Sequence, residues 1–490
     1  MENSVQILKF GGTSVDSGER LRRVANIIAH KLNDPEEVFP AVVVSAMSGV
    51  TDQLLHIARL ACTGEQHDCE LEVIALKQKH VEAAEKAMHR REGRHKLHHD
   101  LDAAFTALEQ DVSELQSRAT QTCELALRTA AVAAWGERFS VLLLAAAACD
   151  AGIEAAPVRE EVIITAQPQG ESLQPLGTVT GADHLTEETR VNAQRLIQPL
   201  LERHIVPIMP GFIGRTTTGL VTTLGRNGSD YSATVIGAVL DCTEVSIYTD
   251  VDGVLSADPR VVANARLLPR LSYSEAARMS WFGAKVLHPR TLIPIAHLNI
   301  PVRVRNTFRP HSRGTLVGPE RTQHSAAAAI TVRHQLALIT VENTDMFGAP
   351  ENAGQVFALA ARAGAAPVAI CSSSGHHLSF MVEERAADSV LALLQHDMGT
   401  WRVNCQGGLA ACACIGSGFT VDPMSSARAI TALARERIPV VTQGASESGI
   451  ILIVDDQDSE RALRCLHRDL IAPVIPLVRH GTQEKRREAR

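Results

Sequence analysis

The sequence predicts an α/β protein in which a mostly parallel sheet lies between helices and is followed by two small α+β modules. Three observations carry that prediction. Short apolar runs, Val5 to Leu8 and then Ala41 to Val44, alternate with a helical stretch from Gly18 to His30, the rhythm of parallel strands joined by helical crossovers. Strand-like runs return at Val162 to Thr165, Val206 to Met209 and Val245 to Tyr248, separated by helical segments Thr186 to Arg203 and Ser232 to Leu240, so this layer continues to about residue 315. Beyond it the texture shortens and repeats. Ala366-Pro367-Val368-Ala369-Ile370 and Ile438-Pro439-Val440-Val441-Thr442 each follow an Ala-rich helical stretch and precede an alternating strand, Leu378 to Val382 and Ile450 to Val454.

Each segment has its own signal. Between about 67 and 133 the chain nearly lacks Gly and Pro and is rich in Ala, Glu, Leu, Lys and Gln, which predicts a helical insertion. Pro319 to Ser325 is polar and unpatterned, a linker. The expected organisation is a catalytic domain over 1–318, modules over 326–400 and 401–475, and a basic tail over 476–490 that carries Lys485, Arg486, Arg487 and Arg490.

Composition excludes several classes. The 490 residues carry 48 basic and 55 acidic side chains, a formal charge of -7, and only 3% aromatics, so neither an electrostatic grip on nucleic acid nor a base-stacking platform is expected. The 10 cysteines form no CxxC pair, which argues against a zinc ribbon or a disulfide framework and fits a reducing cytoplasm. His95 and His99 stand one helical turn apart but lack a third ligand, so no metal site is expected there. No basic leader precedes Val5, and no uncharged apolar run reaches 18 residues, so a cytoplasmic protein without membrane attachment is expected.

Two loops point to phosphoryl chemistry. Lys9-Phe10-Gly11-Gly12-Thr13-Ser14 stands where the first strand ends and a helix begins. Glycines there let backbone N–H groups approach an anion, the helix N-terminus adds its dipole, and the lysine supplies a point charge. Thr222 to Ser232 is a second glycine and hydroxyl loop that opens a helix, with Arg226 able to fork onto a carboxylate and Asp230 able to orient Lys9. Taken singly, the first loop could be a glycine turn with a surface lysine and Ser229-Asp230 a simple helix cap. Together they suit a reaction governed by positioning and charge neutralisation.

Shorter pieces complete the set. Ser45 to Thr51 follows the second strand, where ligands sit in open α/β sheets. Trp135-Gly136-Glu137-Arg138 places one acid in an Ala-rich helix, where a solvated glutamate is the bland alternative to an ammonium partner. Thr249-Asp250-Val251-Asp252-Gly253, followed by Asp258-Pro259-Arg260, is an acidic turn after a strand, and Phe282-Gly283-Ala284-Lys285-Val286-Leu287-His288-Pro289 offers a further lysine.

Four ordered motifs, Lys9 to Ser14, Leu224 to Tyr231, Thr249 to Gly253 and Phe282 to Pro289, with the paired C-terminal modules, resemble aspartokinase, the enzyme that phosphorylates the side-chain carboxylate of L-aspartate. The resemblance covers nearly the whole chain and is densest over 5 to 60 and 135 to 320. It implies an amino-acid-kinase fold with tandem ACT-like modules, a homodimer through those modules, and ATP and magnesium (Mg2+) as requirements, the metal held chiefly by phosphates. By matching position, Lys9 and Asp230 would be catalytic and Gly11, Gly12 and Ser14 would bind phosphate. Ser45, Thr51, Glu137, Arg226 and Ser229 would hold aspartate, with Arg226 on the α-carboxylate and Glu137 on the ammonium. Thr249, Asp250, Arg260 and Lys285 would hold ATP, and Met346, Ser374 and Gln443 would contact a lysine or threonine effector.

The chain departs from the family pattern in two places. Leu255 stands where relatives often have a tyrosine after the acidic turn. The first module reads Ala369-Ile370-Cys371-Ser372-Ser373-Ser374-Gly375 where relatives tend to carry Gln or an acid, whereas the second keeps Gln443-Gly444-Ala445-Ser446-Glu447, so altered or lost feedback control is expected. Val474 to Arg490 contains one glycine and Gly416-Ser417-Gly418 lacks a third, so a fused homoserine dehydrogenase is not expected, and a GxxxxGK loop is absent. Two alternatives stay open: a kinase for another small carboxylate, and a catalytically weak amino-acid sensor.

Overall fold

The computed structural model describes residues 5–35, 37–118, 122–166, 182–225, 227–284, 287–319, 328–343, 349–374, 376–399, 401–416, 419, 422–446 and 448–471. The chain forms two compact units, one of residues 1–255 with 266–323, the other of 256–265 with 324–490.

In the N-terminal unit an eight-stranded sheet collects β1 (Val5–Phe10), β2 (Phe39–Val44), β3 (Ala155–Pro157), β5 (Val206–Pro210), β8 (Glu244–Thr249), β9 (Arg270–Ser272), β10 (Val302–Asn306) and β11 (Thr315–Gly318), in the order β3-β5-β2-β1-β8-β10-β11-β9. All its pairings are parallel except β10 with β11. A second sheet of three strands, β4 (Ile164–Thr165), β6 (Ile213–Thr216) and β7 (Val221–Thr223), lies beside it. All six residues of β1 are buried, as a central strand covered on both faces requires. The crossover from β1 runs to β2 on one side, while β8 lies on the other, so the ends of β1 and β8 flank the point where strand order reverses. Open parallel sheets bind ligands at that crevice.

The helices follow their sequence signals. After β1 come α1 (Gly12–Val15) and α2 (Gly18–Asn33), then α3 (Val50–Thr63), α4 (Gln66–Ala87), α5 (Arg91–Arg118), α6 (Thr122–Ala133) and α7 (Trp135–Asp150). Leu21, Val24, Ile28, Leu54, Ile57, Leu76, Leu108, Phe105 and Phe139 place α2 to α5 and α7 in one core with β1 and β2. The stretch Leu125–Asp150 has the length and apolarity of a membrane span, but 78% of that window is buried inside the unit, where its apolar surface serves this core. α8 (Thr186–Leu196), α9 (Gln198–Glu202), α10 (Gly228–Val239), α11 (Tyr273–Trp281) and α12 (Pro289–Ala296) complete the layer.

The C-terminal unit is one six-stranded sheet carrying α13 (Ala349–Arg362), α14 (Glu384–Asp397), α15 (Pro423–Arg435) and α16 (Ser459–Leu470). Its strands β12 (Ala329–Asn343), β13 (Ala369–Ser373), β14 (His377–Glu383), β15 (Trp401–Ile415), β16 (Thr442–Ser446) and β17 (Gly449–Asp455) run in the order β13-β14-β12-β15-β17-β16. The long strands β12 and β15 pair along their length but slip register near Gln335, whose φ is 56°, and Gly408, whose φ is 70°. That kink divides the sheet. Ile330 at the start of β12 packs with Cys412, Leu433 and Leu466, whereas Ala337, Ile339, Val341 and Val403 pack with Leu359, Phe380 and Leu394. The expected consecutive modules are therefore interleaved, because a 15-residue strand is long enough to serve one core with each half. The segment 256–265 also packs here: Ala257 and Val262 enter the core with α16, and Ser256 bonds His467 Nε2 at 2.9 Å.

Candidate active site

The chain places its glycine loop by strand burial. β1 carries Lys9 near its end and delivers the backbone into Gly11 and Gly12, where the Gly11 N–H donates to the Tyr248 carbonyl at the end of β8 (3.1 Å). Gly12 has a steric reason to be glycine: a Cβ there would stand 2.8 Å from the Ala46 carbonyl oxygen in the loop after β2. The loops following β1 and β2 therefore touch.

Across from them α10 begins at Gly228 and is capped by Asn227, which takes the left-handed conformation (φ 57°). Asp230 in the first turn of the helix meets Lys9, Oδ1 to Nζ 2.6 Å, and both side chains are largely shielded from water. Ser229 beside it is buried, and Gly211 is close enough that a Cβ would lie 2.7 Å from the Ser229 Cβ. The Lys9 ammonium and the N-terminus of α10 therefore meet beside the glycine loop, an arrangement whose charge and dipole favour an anion.

Glu137 forms the other wall. It lies in the first turn of α7 and is buried, with Oε1 accepting from the Ala46 N–H at 3.1 Å and Oε2 buried without a hydrogen-bond partner among the described residues. Burial pushes its carboxyl up to about 8, against the opposing pull of the Ala46 and Glu137 backbone N–H groups and the Lys9 ammonium. An acid so placed is satisfied by a cationic partner on Oε2. Ser45, half-buried, donates its backbone N–H to the Phe10 carbonyl (3.1 Å), and Thr51, also half-buried, is the second residue of α3.

On the β8 side, Thr249 Oγ1 donates to Asp250 Oδ1 (3.1 Å), and Asp250 is exposed at the strand end. Asp252 is tied to Asn306 Nδ2 and Arg309 Nη1, each at 2.7 Å, and so shapes the turn. Ser14 is fully buried with its hydroxyl 2.6 Å from that of Thr307, whose N–H donates to the Thr249 carbonyl (2.8 Å). Thr307 and Asn306 escape a sequence reading; the one signal is their position at the C-terminal end of β10.

Lys9, Gly11, Gly12, Ser14, Ser45, Thr51, Glu137, Ser229, Asp230, Thr249 and Asp250 thus all lie at the C-terminal ends of β1, β2 and β8 or on the helices that begin or pack there. Arg260 is carried by the segment that packs in the C-terminal unit, and it pairs with Asp258 at 2.6 Å. Arg226, Lys285 and Met346 lie outside the described residues. Ser374 is exposed, with its N–H donating to the His377 carbonyl (2.8 Å), and Gln443 is exposed on the edge strand β16. Two cavities of about 720 and 340 Å³, which share Glu161 and Arg215 in their linings, include neither Lys9 nor Asp230. Among the described residues no group of three or more His, Cys, Asp or Glu could hold a metal ion.

Comparison with known proteins gives the family of the chain. The model of the amino acid kinase family matches residues 4–306, and that of an ACT domain matches 413–470. The bifunctional aspartokinase/homoserine dehydrogenase 2 of Arabidopsis thaliana chloroplasts is 33% identical over 481 residues, covering 94% of this chain and 50% of that protein. Aspartokinase 1 from chloroplasts of the same plant is 30% identical over 478 residues, covering 94% and 79%. Escherichia coli aspartokinase III in complex with aspartate and ADP, an R-state structure, superposes with a TM-score of 0.76 at 26% identity, covering 95% of this chain and 100% of that one. Its T-state complex with lysine and aspartate gives 0.73 at 28% identity, covering 95% and 99%. The chain spans about half the length of the bifunctional relatives it matches.

Proposed function

This chain belongs to the amino acid kinase family, among its aspartokinases, and on that footing we propose that it transfers the γ-phosphoryl group of ATP to the side-chain carboxylate of L-aspartate. The product is 4-phospho-L-aspartate, with ADP as the leaving group. The observation that carries this reading is the largely shielded Lys9–Asp230 pair beside the glycine loop, with a nearby buried Glu137 that has one unpartnered oxygen among the described residues. Phosphoryl transfer needs donor and acceptor in line and the spreading negative charge neutralised, and no covalent enzyme intermediate.

The residues divide the work by their chemistry. Lys9, held in place by Asp230, and the N–H of Gly12 stabilise charge on the transferring phosphoryl group, while Gly11, whose N–H is held by the Tyr248 carbonyl, keeps the loop in place beside it. Glu137 Oε2 takes the substrate ammonium, Ser45, Thr51 and Ser229 line the acceptor carboxylate, and Arg226 forks onto the α-carboxylate. Thr249, Asp250 and Lys285 hold the nucleotide. The donor set suits a magnesium ion kept mainly by phosphate oxygens and water, since no multi-carboxylate cage occurs among the described residues. When bound, that ion neutralises phosphate charge.

The regulatory half is inferred to be a homodimer contact through the ACT-like modules, with Ile370 exposed on the edge strand β13 as an apolar residue such pairing would cover. A lysine or threonine effector would contact Met346, Ser374 and Gln443, with control altered in the first module. The deciding experiment is an ATP- and magnesium-dependent hydroxylamine trap with L-aspartate, run with lysine, threonine, both or neither. Aspartate-dependent hydroxamate supports the kinase. Hydroxamate only with glutamate or N-acetylglutamate moves the substrate, and none from folded protein leaves the sensor.

A further inference from the structure

The helices between α3 and α7 have no role in the site described so far, yet one of them reaches it. α4 is seated against the corner that follows the glycine loop: Gly18, the first residue of α2, lies so near that a Cβ would stand 2.5 Å from both Ala87 N and Lys86 Cβ. That close approach sets α4 along the start of α2. Two turns before Ala87 on α4 stands Lys79, whose Nζ donates to the Ser48 carbonyl at 2.7 Å and lies 3.4 Å from Asp16 Oδ1. Ser48 belongs to the loop after β2, which also carries Ala46, the backbone donor to Glu137. Asp16 caps the C-terminus of α1, the single turn that begins at Gly12.

One ammonium therefore joins the loop that would hold the acceptor to the loop that would hold the donor. The two loops already touch at Gly12 and Ala46. Arg20 holds the glycine-loop side alone, with Nη1 donating to the Thr13 carbonyl (2.6 Å) and lying 3.9 Å from Asp16 Oδ2. Lys79 is the described side chain that makes charge-assisted contacts to both loops. We propose that Lys79 is a positioning residue for phosphoryl transfer, setting the spacing of the phosphate loop against the acceptor loop from the helical insertion. This rests on the function proposed above. A misplacement of about 1 Å between reacting groups costs on the order of 100-fold in rate, so a tie of this kind bears on turnover more than on ligand affinity.

The test is Lys79→Met in the full chain, with Lys79→Arg as the conservative variant. For Lys79→Met the expected result is a 10- to 100-fold lower kcat, on the order set by such a misplacement, with KM for ATP and aspartate within about threefold. Lys79→Arg, which can span both acceptors, recovers most of kcat. Hydrogen exchange supplies a readout independent of activity: amides of 11–16 and 45–51 exchange faster in Lys79→Met while those of α4 do not. Unchanged kcat, or faster exchange spread over α4 with a lowered Tm, overturns the proposal. Should the wild-type protein make no acyl phosphate, the function fails by itself, and exchange at the two loops alone decides whether Lys79 ties them.

Discussion

Replacing Glu137 with Gln removes the one ionisable group that the acceptor end of the site has buried without a full set of partners. Its carboxyl sits near 8 in the folded protein and near its ordinary 4.5 when unfolded. Between those values the unfolded chain has released a proton that the folded chain retains. Stability therefore falls as pH rises from about 4.5 to about 8 and stops falling above that, at about 1.4 kcal/mol per pH unit and about 5 kcal/mol in all as an upper bound. An amide at this position has no such proton, so the Glu137→Gln protein gains on wild type steadily across that window. The same linkage governs binding. An ammonium against Oε2 requires the carboxylate, so aspartate binding at pH 7 releases close to one proton from Glu137, and affinity rises about tenfold per pH unit up to 8. Calorimetry in two buffers of different ionisation enthalpy counts that proton directly, and the KM for aspartate across pH 6 to 9 gives the slope. Zero protons released by wild type, or an identical slope in Glu137→Gln, would refute both the burial argument and the role given to this residue.

Three further outcomes are expected. Lys9→Met strips the charge from the phosphate site and leaves Asp230 shielded and unpaired; kcat falls by at least 1,000-fold, about 4 kcal/mol, while circular dichroism stays native, as steady-state kinetics will record. Gly12→Ala must push the Ala46 loop away from a Cβ that would otherwise sit 2.8 Å from its carbonyl oxygen, lowering stability by about 1–3 kcal/mol in urea and kcat/KM with it. His80 is buried against Phe105 and Phe139, and burial holds it down to about 4, so wild-type stability falls as pH drops below 6.5, where the unfolded imidazole takes a proton and the folded one does not, reaching about 3 kcal/mol by pH 4. His80→Phe flattens that acid limb in pH-dependent melts; an unchanged limb would place the acid sensitivity elsewhere.

Much of the molecule was legible because its signals are local. Alternation in the first 60 residues marks β1, α2 and β2; the Gly-poor stretch marks α4 to α6; and the offset repeat marks β13–β14 and β16–β17. The glycine loop shows in Gly11 and Gly12, whose need for backbone approach is a property of residue type. That Lys9 faces Asp230, 221 positions away, follows from the family resemblance and not from spacing. Burial is a different matter. Glu137 reads in the sequence as either an ammonium partner or a solvated helix glutamate, and only the packing of α7 beneath Ala46 takes it out of water. Thr307 and Lys79 carry no signal, because each matters through a neighbour supplied by a distant element.

The C-terminal unit makes the same division sharper. Ala-rich helices and alternating strands appear in order along the chain, but the halves of β12 and β15 serve different cores, and the segment 256–265 lies in this unit although its neighbours on both sides lie in the other. By itself, then, the sequence determined which elements form, where the two glycine loops begin and which family the chain resembles, since hydrophobic period, glycine and capping act over a few residues. Which carboxylate is desolvated, which lysine bridges two loops and which strand belongs to which core were decided only by the tertiary structure, because desolvation and ion pairing depend on what the rest of the chain brings within a few ångströms.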